Sequence, residues 1–460
     1  MSAPSVSHFT LIFLAASIVG SLPAMAASQA RIVRLSDVQG SVEIDKNTGL
    51  GFEKAFINLP ITQGTKLRTG DGARAEIEFE DGSSMRLASK TSIEFSALSN
   101  TDAGAHVSQV NLMEGMAYVN WLAKNGDEFT LNFSREKVVL SHPAHFRADT
   151  STEIANVAVF KGDVEINGPS GDLKVEKKKT ATFDVADNDK SKIDNKVAEA
   201  AFDDWDKEAS SYHDQYAKNN SVSSPYGYGL SDLNYYGAYT SVPGYGMMWQ
   251  PYFTGVGWDP FMDGAWGFYP GFGYMYASAY PWGWLPYRYG NWAFVSGFGW
   301  MWQPGAWNNW VTVPRYTPST TARVTALTPP PAGTVRTVAV GRVGALPVST
   351  ASRVVLRSGT AGFGIPRGSV HNLEHLNHQV AKRGSAEVRP APQFSATSPH
   401  PSGAPASSAP QGAAPGASSG RNPAGRNSGF GGSRGPSSMG APTRSSAPAP
   451  RSSAPAGPRR

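Results

Sequence analysis

Cysteine is absent from all 460 residues. That removes disulfides, thiolate metal ligands, cysteine nucleophiles and a lipidated cysteine anchor. Long apolar runs are almost as scarce. The main one, residues 9–19, is too short for the roughly 20 residues that cross a bilayer. It precedes Ala24-Met25-Ala26, the small-residue pattern a signal peptidase accepts, although "MSAPSVSH" before it carries no basic side chain. Residues 1–26 are therefore expected to be a signal peptide, with no membrane span after its removal and a periplasmic or extracellular location. An exported chain without disulfides must be held by ordinary burial.

Acidic side chains run out halfway. After Asp263 only Glu374 and Glu387 remain, while arginines continue to Arg460, so the net charge of +5 hides an acidic first half and a basic second half. From Arg389 onward the tail has arginine but no lysine and no carboxylate side chain. Its Pro, Ala, Ser and Gly cannot bury enough apolar surface to offset about 1–2 kcal/mol of backbone ordering per residue. Residues 312–460 are expected to be a disordered basic tail, whose guanidinium groups suit loose contact with anionic polymers.

Alternation is abundant. In "ARAEIEFEDGSSMRLA", Ala75, Ile77 and Phe79 point one way and Glu76, Glu78 and Glu80 the other, and Asp81-Gly82 suits a two-residue hairpin turn. Similar runs over residues 31–187 predict about ten short strands in a β-sandwich or β-roll. Over residues 192–218 the period becomes helical: Ala198, Ala201, Phe202, Trp205, Ala209, Tyr212 and Tyr216 form an aromatic stripe on one amphipathic helix. Residues 226–311 hold ten of the twelve tryptophans among glycines and prolines. The units "MWQPYFTGVGWDPFMDGAW", "GWLPYRYGNW" and "MWQPGAW" each run from a Trp near a Pro to Gly-x-Trp. They read as a small repeated β-module. Trp249, Trp266, Trp284, Trp292, Trp302 and Trp307 are its candidate binding or structural rings. Aromatic side chains can stack on sugars, or on one another to make a core.

The strand region resembles the FecR domain. The residues that carry the resemblance are Gly40-x-Val42, Leu59-Pro60-Ile61, Gly64, Leu67, Thr69-Gly70, Gly72-x-Arg74, Glu76, Asp81-Gly82-Ser83 and Arg86-Leu87. The aromatic region, with "GLSDLNYYGAY", "WDPFMDGAW" and "PWGWLPYRYGNW", is similar to a companion module of uncharacterised exported FecR-domain proteins. Typical members of the family are transmembrane sensors that relay transporter occupancy to a sigma factor. Without a transmembrane helix or cytoplasmic segment, the resemblance implies only the extracytoplasmic, partner-binding β-domain.

Catalytic patterns are thin. "HNLEH", His371 to His375, matches the H-x-x-E-H spacing of one zinc peptidase class with Glu374 as base and His378 extending the face. It sits in Arg-, Gly- and Pro-rich sequence with no domain around it. His142, His145 and Asp149 lie in strand-like sequence without a nucleophile. Asp259 and Asp263, with a proline between, fit turn caps better than a glycosidase pair. No phosphate-cradling glycine loop, zinc finger or nucleophile elbow occurs. The expectation is a mainly β, non-enzymatic envelope protein without cofactor, metal or specific nucleic acid, whose FecR-like domain and aromatic module bind protein or polysaccharide partners. The alternative is a secreted hydrolase of envelope polysaccharide or peptide that uses Asp259 or Asp263.

Overall fold

The computed structural model describes residues 31–124, 126–169, 171–218, 226–305, 311–322, 324, 327–343, 353–392 and 394. The signal-like segment, Trp307 and the tail from residue 395 lie outside the described residues.

The alternating strands build two sheets around one core. In spatial order, one sheet runs through Glu53–Lys54, Val42–Asp45, Lys66–Thr69, Ser92–Asn100, His106–Trp121, Glu128–Phe133, Glu136–Leu140, Asp163–Gly168 and Gly171–Glu176. The other runs through Pro60–Ile61, Val33–Gln39, Arg74–Glu78, Ser84–Leu87, His106–Trp121, Ala144–Thr150, Ile154–Lys161, Thr180–Asp184 and Lys190–Asp194. His106–Trp121 belongs to both. Its first half pairs with Ser92–Asn100, and from Gly115 onward it pairs with Ala144–Thr150. Gly115 turns the corner at φ 90°, where a Cβ would press on the Lys90 carbonyl. The result is the expected β-roll, with more and shorter strands than the sequence announces, ending at Asp194. The hairpin at Asp81-Gly82 closes through Phe79 N to Ser83 O, 2.9 Å, and Gly82 N to Phe79 O, 3.0 Å. Its loop therefore has three residues with Gly82 at φ 91°, not two.

One helix follows, α1 (Asp203–Tyr216), shorter than residues 192–218. A second helix, α2 (Leu230–Tyr236), opens the aromatic module. Three hairpins then repeat one design: Gly237–Val242 with Gly246–Pro251, Gly264–Tyr269 with Gly273–Ser278, and Asn291–Val295 with Gly299–Gln303. Their tips read Pro-Gly-Tyr-Gly, Pro-Gly-Phe-Gly and Ser-Gly-Phe-Gly. Both glycines of every tip have φ between 79° and 87°, which a side chain would strain. The Trp-to-Trp units of the sequence reading therefore straddle hairpins, and the structural period lies at the tips. The first and third hairpins join through the pair Trp249↔Trp302. Gln250 and Gln303 each reach the tip of the other hairpin, donating to Phe298 O (2.6 Å) and Tyr245 O (2.7 Å).

Described residues beyond 311 correct the expectation of a disordered tail from 312. Thr317 N donates to Trp292 O at 2.7 Å, and Val338–Val340 adds a strand to Gly264–Tyr269. Both close sheet edges that would otherwise be free to pair. Val354–Arg357 pairs with Ser385–Val388 around a helix, α3 (Leu373–Arg383). Leu356, Phe363, Ile365, Val370, Leu373 and Val380 are buried in the aromatic cluster. Composition misled because sparse apolar residues can fold when a preformed surface receives them.

Candidate functional site

The strand Arg74–Glu78 buries both faces. Ala75 and Ile77 enter the core, as alternation requires, yet Glu76, Glu78 and Glu80 are 1%, 2% and 6% exposed, although alternating acids ordinarily face water. Each faces an arginine. Arg34 stands opposite Glu78 and Arg86 opposite Glu76 in the strand register. Arg34 Nη1 donates to Glu78 at 2.7 Å, Arg86 Nε to Glu76 at 2.7 Å, and Arg31 Nε to Glu80 at 3.0 Å.

Helix α1 covers this ladder with a polar stripe. Asp203 accepts from Arg147 (2.6 Å) and Tyr118 (2.8 Å), Asp206 from Arg86 (2.7 Å), and Ser210 from Arg86 (3.0 Å). His145 lies 2.8 Å from Asp206. His213 then sits between Glu76 (Nε2, 3.1 Å) and Glu78 (Nδ1, 3.4 Å), with Ser231 of α2 at 3.0 Å. The aromatic stripe of the sequence reading also docks, through Phe202, Trp205 and Tyr212. Asp203, Asp206, Ser210 and His213 share the helical spacing, so the helix is held as much by charge as by rings.

The aromatic module and the C-terminal segment close the site. Asp232 of α2 lies 2.7 Å from Arg34, and accepts from Arg367 (2.6 Å) and Tyr212 (2.8 Å). Arg367 also donates to Glu76 at 2.8 Å. Asn58, at φ 64°, binds Arg34 and donates to the Ser278 and Tyr280 carbonyls at 3.0 and 2.7 Å. Four carboxylates, Glu76, Glu78, Asp206 and Asp232, thus meet Arg34, Arg86, Arg367 and His213. Burial alone pushes Glu76 up, but His213, Arg86 and Arg367 outweigh it and hold it well below its usual range. Asp232 goes down likewise, burial being overcome by Arg367 and Arg34. His213 goes up: burial opposes its charge, and Glu76 and Glu78 more than restore it. The ligand atoms of Glu76, Glu78 and His213 lie within 4.8 Å of one another. With cations already on these carboxylates, the set is an ion-pair cluster and offers no vacant metal seat.

The other candidates separate. Trp249, Trp266, Trp284, Trp292 and Trp302 are at most 1% exposed, so these rings form core and present no sugar-stacking face. The indole N–H groups of Trp249, Trp292 and Trp302 donate to the carbonyls of Leu233, Pro286 and Tyr289 at 3.0, 2.9 and 2.7 Å. Arg288, the one charge in "PWGWLPYRYGNW", is buried 5.0 Å from the Trp284 ring, and burial lowers its pKa to about 10. Asp259 accepts from Phe261 N at 2.8 Å within its own turn. Asp263 accepts from Arg342 Nε and Tyr280 OH, each at 3.0 Å. Burial would raise its pKa, but the Arg342 contacts hold it down. His142 contacts the Asp163 carbonyl, and Asp149 contacts Asn156. In "HNLEH", His371 precedes α3, and Asn372 caps it at φ 56°. The two histidines therefore do not share a helical face, and His371, Glu374, His375 and His378 are all exposed.

Comparison with known proteins bears on the two walls of this site separately. Residues 65–165, the segment that carries Glu76, Glu78, Arg86 and Arg147, match the FecR protein family. The first module thus carries a FecR-family segment. Residues 230–328, which carry Asp232 and the hairpins, match DUF6600, a family of unknown function. Two crystal structures of a chain described as an anti-sigma factor from Parabacteroides distasonis ATCC 8503 are also similar. One, at 1.65 Å resolution, is 19% identical with a TM-score of 0.26, over 29% of this chain and 60% of that chain. The other, at 2.50 Å, is 18% identical with a TM-score of 0.26, over 30% and 63%. The chain thus spans about three fifths of those structures. No curated protein matches. Helix α1 and Arg367 fall outside both matched segments, so part of the clasp between the two modules comes from sequence that neither family model covers. No helix among the described residues is long and apolar enough to cross a membrane.

Proposed function

We propose that this protein is a non-enzymatic, exported envelope protein whose two modules act as one partner-binding body. The observation that carries the reading is the engagement of every acid the hydrolase alternative would use. Asp263 is closed by Arg342 and Tyr280, and Asp259 is spent in its turn. A catalytic pair needs one carboxyl poised to give a proton beside a cleft. The tryptophans among the described residues are buried and offer a glycan no indole platform, which favours a protein partner. The apolar run at residues 9–19 followed by Ala24-Met25-Ala26 supports export. The arginines from Arg389 to Arg460 add salt-sensitive attraction to anionic polymers of the envelope.

The test is cell fractionation of the tagged full chain, with a photo-crosslinker placed at Phe298, which is 45% exposed. We expect the chain in the envelope fraction and a discrete crosslinked protein. Turnover of envelope polysaccharide or peptide by the purified chain, lost in a folded Asp263→Asn variant, would overturn the reading.

A further inference from the structure

The segment Gly359 to Val370 crosses the junction of the two modules in an irregular, glycine-rich path. It is held mainly by its main chain. Phe253 O accepts from Gly359 N (2.7 Å) and Ala361 N (3.2 Å). Trp282 Nε1 donates to Ala361 O at 2.7 Å and Tyr236 OH to Ile365 O at 2.7 Å. Tyr235 OH both donates to Val370 O (2.9 Å) and accepts from Val370 N (3.0 Å). Side chains enter in two ways. Phe363, Ile365 and Val370 are buried apolar anchors. Arg367 alone brings charge, gripped by Glu76 of one module and Asp232 of the other, with its guanidinium 5.7 Å from the Tyr212 ring.

The seat is open to solvent beside its occupant. Clefts of about 250 and 520 Å³ are lined by Pro366 and Arg367, and Asp37 and Gln39 line both. Phe253, Trp282, Tyr235, Tyr236, Glu76 and Asp232, which grip the segment, lie in the two matched family segments, whereas the segment itself lies outside both. Backbone-directed donors, apolar pockets and one acid-lined socket are parts from which peptide-binding grooves are made.

We propose that residues 359–370 are a tethered ligand in a peptide-reading groove. Its partner in trans is a glycine-rich, turn-forming protein segment of like chemistry: an apolar residue, glycine, an apolar residue, then Pro-Arg. The inference rests on the partner-binding reading above and names what the partner presents. The tethered copy competes at an effective concentration near the millimolar range (about 1 mM), so the partner engages when the strap lifts.

The test uses the full chain and a fluorescein-labelled peptide of residues 359–372. The double variant Phe363→Ala/Ile365→Ala removes two anchors of the strap and keeps every charge of the socket. The peptide is expected to bind this variant about tenfold or more tightly than the unmodified chain, and a peptide with Arg367→Ala about tenfold more weakly than the parent peptide. Equal binding to both chains, or indifference to Arg367→Ala, overturns the proposal. Hydrogen exchange on the unmodified chain covers the case of a variant that does not fold. Amides of Gly359, Ala361 and Val370 should exchange about a hundredfold faster than those of Gly264–Tyr269. Equal protection makes the strap a core element and overturns the proposal. A dimer of the variant that the peptide does not dissolve assigns the groove to a second copy and equally overturns the partner. Failure here leaves an envelope crosslink at Phe298 untouched, so the two readings fail separately.

Discussion

Trp292 and Phe298 belong to one hairpin and experience opposite environments. Trp292 is fully buried against Trp258, Trp282 and Tyr287, with its N–H satisfied. Phe298 sits between two positive-φ glycines at the tip and is 45% exposed. Trp292→Ala should cost about 3–5 kcal/mol, read as a lower denaturation midpoint with loss of near-ultraviolet dichroism. Phe298→Ala should stay within about 0.5 kcal/mol of the parent. A ring's chemistry is visible in the sequence; its direction is not. Direction depends on hairpin register, which the Gly-aromatic-Gly tips reveal only once they are recognised as the repeat.

Helix α1 is the element whose docking responds to pH. His213 faces Glu76 and Glu78 on the strand Arg74–Glu78, Ser231 on α2 and Arg367 on the strap. Its folded pKa lies above its ordinary value. The stabilisation it gives is therefore complete below about pH 6.5 and is lost as pH rises through the raised folded value. Melting temperature should fall over that window in the unmodified chain. In His213→Gln it should be lower at acid pH and flatter across the window. The same fall in both chains would place the titration elsewhere. Much of this element is legible in the sequence: the helix, its aromatic stripe, and the acids alternating on "ARAEIEFE". The pairing of that acidic face with the polar stripe of α1 is not legible. Glu76 and Arg367 stand 291 positions apart, and local period carries no information across such a gap.

At the scale of the molecule, Asp232 matters more than its size suggests. It joins Arg34 of the β-roll, Arg367 of the strap and Tyr212 of α1. Removing one member of a buried charge cluster leaves the others uncompensated, at about 3–5 kcal/mol. The unmodified chain should melt in one calorimetric transition, and Asp232→Ala should split it into two, with the aromatic module first. A single transition shifted as a whole would show that apolar contacts, such as those that place Ala265 and Ala277 in the core of the β-roll, couple the modules instead. The β-roll is the part of the architecture most open to sequence reading, because its alternation is local. The residues beyond 311 are the least open, because a chain poor in apolar residues folds here only on a surface another segment supplies.

The burial of Glu76, Glu78 and Glu80 against charged partners has a consequence for how the chain comes into being. Synthesis delivers the β-roll before α1, α2 and the strap exist. Were its outer face apolar, the unfinished molecule would offer neighbouring nascent chains a sticky patch. Acids paired with the roll's own Arg31, Arg34 and Arg86 keep that face polar until α1, α2 and the strap cover it. The face of the first module is soluble when young and sealed when mature.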